Sequence, residues 1–144
     1  MKKKPSVSNI AFQIVSFESV GPINFGMKSS EIDSLLGPCE VIIKHKDGGN
    51  DERRFNSKLS IKYNFKNECV EVSLEKNLNV MLSGISIFKT KNLIEKLSKF
   101  DNPVEKVGFV IFFKLGIALT GFGIKKDDKT ISVFSKENLV KWKI

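Results

Sequence analysis

Histidine occurs once in this chain of 144 residues, at position 45. A Ser–His–Asp or Cys–His site would therefore have to use His45, and a metal site built on several imidazoles is excluded. Tyrosine and tryptophan also occur once each, against 12 phenylalanines. Phe carries no polar handle and reads first as core filler. There are two cysteines, Cys39 and Cys69, far apart and in no metal-ligand spacing. They read as reduced thiols in a cytosolic protein. Of 24 basic residues only Arg53 and Arg54 are arginines. A bidentate reader of phosphates or guanines is poorly supplied by two adjacent arginines. Long hydrophobic runs are missing: no segment approaches the ~20 apolar residues that span a bilayer. Met1-Lys2-Lys3-Lys4 could open a signal peptide, but Pro5–Asn9 is polar. The apolar stretch Ile10–Phe17 is interrupted by Gln13 and Ser16 and closed by Glu18. The expectation is a cytoplasmic protein with no membrane partner.

What is present is ordinary for one folded domain: 41% hydrophobic and 28% charged residues, with a net charge of +8. The lysines are spread along the chain, which reads as a soluble surface rather than one focused groove. A nucleic-acid-binding module using that lysine-rich surface is the alternative reading.

Residues 1–9 read as a flexible basic tail, and 10–144 as a single domain. Alternation predicts a first strand from Ile10 to about Phe17. Gly21-Pro22 marks a turn, and Ile23-Asn24-Phe25 a short extended lead-in. Ser29 or Ser30 caps a helix carrying Ile32, Leu35 and Leu36 on one stripe, stopped at Gly37-Pro38. A strand follows over Glu40–Lys46, then a polar loop from Lys46 into Asp51. Residues 58–75 read as a hairpin, with Leu59, Ile61, Tyr63 and Phe65 alternating on the first arm and Val70, Val72 and Leu74 on the second. A second round follows. Ser83–Phe88 is extended, and Thr90 caps a helix with Leu93, Ile94 and Leu97. Val107–Phe113 reads as a candidate central strand, followed by strands around Leu115–Leu119 and Ile131–Val133. Gly121-Phe122-Gly123 reads as a strand bend, and Asp127-Asp128 as a hairpin tip. Ile23 and Ile85, Ile32 and Ile94, and Leu35 and Leu97 correspond at an offset of 62. Two pseudo-repeats, about 21–75 and 83–135, are therefore expected. The fold class they predict is α+β, with one antiparallel sheet and two helices packed on one face.

The stretch Phe25-Gly26-Met27-Lys28-Ser29-Ser30-Glu31-Ile32-Asp33-Ser34-Leu35-Leu36-Gly37-Pro38 is similar to the opening helix motif of the β-lactamase inhibitor protein-like fold. That group includes the SmpA/OmlA small outer-membrane lipoproteins. A second resemblance, in Gly21–Met27 and in Leu115-Gly116-Ile117, is to small bacterial toxin-immunity proteins. Both matches are short; the first covers about a tenth of the chain. They imply a protein that works by binding another protein. With no cysteine placed for lipidation, a cytoplasmic immunity protein is the form that fits.

The function expected is therefore non-enzymatic neutralisation of a cognate toxin domain by direct binding, with no cofactor and no metal. Its charge suits an acidic partner surface. The candidate contact residues are Asp47, Asp51, Glu52, Arg53 and Arg54 of one loop, with Lys62 from an exposed strand position. Arg54 and Trp142 are candidates by type, since Arg and Trp dominate binding hot spots; Trp142 fits a core plug equally well.

Overall fold

The computed structural model describes residues 10–122 and 128–144. The basic tail, Gly123 and Asp127 lie outside the described residues. The first half of the chain runs β1 (Ala11–Val15), β2 (Ser19–Val20), β3 (Ile23–Asn24), α1 (Ser29–Leu36), β4 (Val41–Lys44), β5 (Asn50–Arg54), β6 (Leu59–Tyr63) and β7 (Cys69–Glu75). The second runs β8 (Asn79–Leu82), β9 (Ile85–Ser86), α2 (Leu93–Leu97), β10 (Val104–Lys106), β11 (Phe109–Phe112), β12 (Ile117–Thr120), β13 (Thr130–Phe134) and α3 (Lys136–Lys143).

The expected single antiparallel sheet with two helices on one face is not what forms. Strands hold 42% of the described residues and helices 16%, and the strands make two sheets. The smaller has the order β3-β2-β1-β8-β9; the larger is β10-β11-β12-β13-β7-β6-β5-β4. Every pair in the large sheet is antiparallel, whereas β1 and β8 run parallel, with Phe12 beside Val80 and Ile14 beside Leu82. The sequence expectation failed here because a parallel pairing between distant segments carries no turn signal. The short lead-ins become two-residue strands β3 and β9. The β2–β3 and β8–β9 hairpins flank β1, and β4–β7 and β10–β13 stand in mirrored order about the β7–β13 pair.

Alternation explains the core. On β1, Phe12 and Ile14 point inward; on β6, Leu59, Ile61 and Tyr63 do. The inner face of the large sheet shares one apolar core with the small sheet, with Ile32 and Leu36 of α1, and with Leu93 and Leu97 of α2. Each such fully buried side chain stabilises the fold by about 1.5–3 kcal/mol. β7 breaks the alternation, with Cys69, Val70, Glu71 and Val72 all buried, because α3 covers the outer face there.

Two local expectations are also corrected. Asn50–Arg54 is a strand rather than loop. Val107 and Gly108 form the turn of the β10–β11 hairpin, so Val107–Phe113 is not a central strand; β13 and β7 occupy the centre. After Ser135 the chain forms helix α3. Among the described residues no helix is long and apolar enough to cross a membrane.

Candidate functional site

Strand parity sorts the candidate residues onto two faces. Glu52 and Arg54 point into the molecule, 4% and 2% exposed. Arg54 Nη1 donates to Glu52 Oε1 (3.2 Å), its Nε to the Gly37 carbonyl at the end of α1 (3.1 Å), and its Nη2 to Asp33. Ser29 Oγ donates to Glu52 Oε2 (2.6 Å). The cluster fastens both ends of α1 to β5. Burial works against the Arg54 charge, but Tyr63, Glu52 and Asp33 outweigh it and raise its pKa. The neighbouring Tyr63 hydroxyl is buried and makes no hydrogen bond of normal geometry. Burial, and then the nearby Glu52, push its pKa up. These residues are structural, so the sequence placed two of its contact candidates in the wrong environment.

Asp51, Arg53 and Lys62 lie on the outer face. One register row there reads Ile43, Asp51, Lys62, Glu71, Phe134, with charges of alternating sign at its centre. Lys62 Nζ is 4.0 Å from Glu71 Oε2. Asp51 Oδ2 is 3.2 Å from His45 Nε2, while Asp51 Oδ1 is buried without a partner. Arg53 is half-buried between Val41 and Ser60. Asp47 sits at the exposed tip of the β4–β5 turn and accepts the Gly49 N–H (2.8 Å). That bond holds its carboxyl below the usual range.

Helix α3 lies on this face because Glu71 ties it down. Glu71 Oε1 accepts from Asn138 Nδ2 and from Trp142 Nε1, each at 2.8 Å. Ser135 caps the helix by accepting from Asn138 N, and Lys141 and Lys143 in its last turn suit the helix dipole. The Trp142 ring stacks on Phe134 (5.6 Å between centroids) and meets Phe109 edge-on (5.1 Å). It is a plug under α3 whose flank reaches the surface.

Two open grooves flank α3, and Lys141 lines both. One, of about 490 Å³, has His45, Asp47, Lys62 and Glu137 in its walls. The other, of about 150 Å³, is a shallow apolar hollow between Val107, Trp142 and Ile144, edged by Lys106. Val107 is 90% exposed and Ile144 84%. Val107 also has φ +50°, left-handed backbone that a β-branched residue adopts at a cost. The structure thus brings Asp47 and Lys62 to one groove, with Asp51 behind its wall on His45, and Trp142 to the other, and takes Glu52 and Arg54 away. Sequence reading missed Val107, Glu71 and Asn138. The available signal was Ser135 three residues before Asn138, with Trp142 one turn further on.

Among the described residues no three His, Cys, Asp or Glu side chains are placed to share a metal ion. Both cysteines are free. Burial pushes the Cys69 thiol up to about 12. Neither a protein-family model, nor a curated protein, nor a solved structure matches this chain.

Proposed function

We propose that this chain is a non-enzymatic protein-binding domain that neutralises a bacterial toxin, using the outer face of the large sheet around α3. Val107 is the observation that carries the binding surface. A two-residue hairpin turn with both residues at positive φ favours Asn-Gly; here Val107 and Gly108 hold it, at φ +50° and +83°. An apolar side chain that is strained and almost wholly exposed contributes nothing to the fold, and a partner contact gives it a role. Its neighbours support that role: an apolar centre of Val107, Trp142 and Ile144 with Lys106 and Lys141 at the rim has the anatomy of an interface. The lysine rim and the +8 charge suit an acidic partner. That the partner is a toxin domain rests on the resemblance of Phe25–Pro38 and Gly21–Met27 to inhibitor and immunity proteins.

The test begins with the gene next to this one. A secreted protein with a variable C-terminal domain encoded there supplies the ligand for titration calorimetry. Binding is expected, weakened at least about tenfold by Val107→Asp or Lys141→Glu. No binding by the unaltered protein, or salt-dependent binding to generic DNA or RNA instead, overturns the proposal.

One observation favours a second reading. His45 pairs with Asp51 beside a groove that also holds Asp47 and Glu137, an arrangement acid–base chemistry could use. A Ser–His or Cys–His pair is not formed there, since the groove is lined by lysines, carboxylates, Tyr63 and Asn64 with no Ser, Thr or Cys among the described residues. Toxin neutralisation that survives His45→Gln removes this reading.

A further inference from the structure

The strand registers relate the two halves of the large sheet by an approximate twofold axis at the Ser73–Ser132 pair. Val72 and Leu74 correspond to Ile131 and Val133, and Ile61 to Leu119. One strand further out, Glu52 corresponds to Val110 and Arg54 to Phe112. On the helices, Ile32 corresponds to Ile94 and Ser29 to Lys91 at the offset of 62.

The halves differ where each helix meets its sheet. In the first half that angle is closed. α1 has eight residues, Ser29 bonds Glu52, Arg54 pairs with Asp33, and Ile32 and Tyr63 are buried. In the second half α2 has five residues. Lys91 stands in place of Ser29, Val110 in place of Glu52 and Phe112 in place of Arg54. Tyr63 ends β6, whereas Gly121 follows the end of β12. Gly121 has φ +81° and the Asp128 backbone lies against it, so no side chain fills that space. Ile94, Val110 and Phe122 are left half-buried.

Among the described residues this leaves two open hollows, of about 820 and 440 Å³, and Ile94 and Phe122 line both. Volumes in this range suit a small ligand. Phe88 stacks on Phe122 at 5.9 Å between centroids, and Leu93 and Val110 continue the apolar wall. Lys89, Lys91 and Lys129 stand at the larger hollow against one carboxylate, Glu95. Lys129 Nζ lies 5.4 Å from the centre of the Phe122 ring. At the smaller hollow Lys106 is balanced by Glu105. The groove thus repeats the helix–sheet angle of the first half with the buried carboxylate taken out, leaving an apolar floor and an excess of cations. An apolar body with a negative head complements it.

We propose that this groove binds a single-chain amphipathic anion, a carboxylate on an acyl chain. The chain lies on Phe88, Ile94, Val110 and Phe122, and the carboxylate sits among Lys89, Lys91 and Lys129. The ligand is a free amphiphile and not a bilayer, because these apolar side chains are recessed and half-buried rather than projecting.

Titration calorimetry of the full chain with dodecanoate, below its micelle-forming concentration and in about 0.15 M salt, tests this. Saturable binding of one equivalent is expected. Dodecylamine, with the same chain and the opposite charge, is expected to bind at least about tenfold more weakly. Lys89→Glu with Lys91→Glu, both at exposed positions, is expected to weaken dodecanoate binding by at least about tenfold. Val110→Glu, which puts back the carboxylate of the first half, is expected to abolish it. Absence of saturable binding by the unaltered protein overturns the proposal. So does equal binding of dodecylamine, or undiminished binding by the folded double lysine variant. Co-sedimentation with phosphatidylglycerol vesicles without binding of monomeric dodecanoate assigns the lysines to a membrane surface and overturns it as well.

Discussion

Arg53 and Arg54 are neighbours in sequence with different environments. Arg53 lies half-buried on the outer face, while Arg54 is buried against Glu52, Asp33 and the end of α1. Removing one member of a buried pair leaves the other charge uncompensated. Arg54→Met is therefore expected to cost about 3 kcal/mol, read from the urea midpoint, since it strands the Glu52 carboxylate. The double variant Arg54→Met with Glu52→Gln should recover part of that loss. Val107 behaves oppositely. Val107→Asn relieves the strained turn and should raise stability by about 1 kcal/mol while weakening partner binding. A variant that is less stable than the parent would remove the strain on which the binding surface was inferred. None of this was legible from residue types. Arginine is by type a common contact residue, and only strand parity shows that Arg54 faces inward.

Among the elements, those with strong periodicity were readable and those built on charge were not. Leu59, Ile61 and Tyr63 announced β6, and the Ile32–Leu36 stripe announced α1. β5 was hidden because Asn50-Asp51-Glu52-Arg53-Arg54 has the composition of a loop. Its inward charges neutralise one another, which hydrophobic alternation cannot reveal. The second helix begins later than Thr90, with Asn92 at its start in left-handed backbone. α3 was missed because its burial depends on Glu71, from a distant strand. Trp142→Phe keeps the ring but deletes the donor to Glu71, at an expected cost of about 1–2 kcal/mol. Asn138→Ala removes the other donor to the same oxygen, and its Trp142 emission should shift red as α3 loosens. An unchanged spectrum would mean that Glu71 does not hold the helix.

For the molecule as a whole, the order of elements was partly legible and their assembly was not. Alternation identifies strands, but nothing local says that β1 belongs beside β8 or that two sheets form. The buried Tyr63 and Cys69 give the whole fold a pH dependence. Both have raised pKa values in the folded chain, that of Cys69 about 12. The folded protein thus retains protons that the unfolded chain has released. Stability is complete below the unfolded thiol value of about 8.5 and falls as pH rises from there toward 12. The melting temperature should decline over that window, and Cys69→Ala should flatten the start of the decline.

The parallel pairing of β1 with β8 has a consequence for synthesis. β1 spans positions 11–15, and its partner spans positions 79–82. While the chain is being made, β1 has only the short β2 to hold it, and Phe12 and Ile14 wait for the other side of their core. β7 meanwhile waits for β13, the last strand to emerge. The first half is thus an unfinished surface with an open edge until nearly the whole polypeptide is out. Such late closure leaves a nascent chain exposed to aggregation. A ribosome stalled after residue 75 should present a protease-sensitive chain, and release of the full chain should bring protection in a single step.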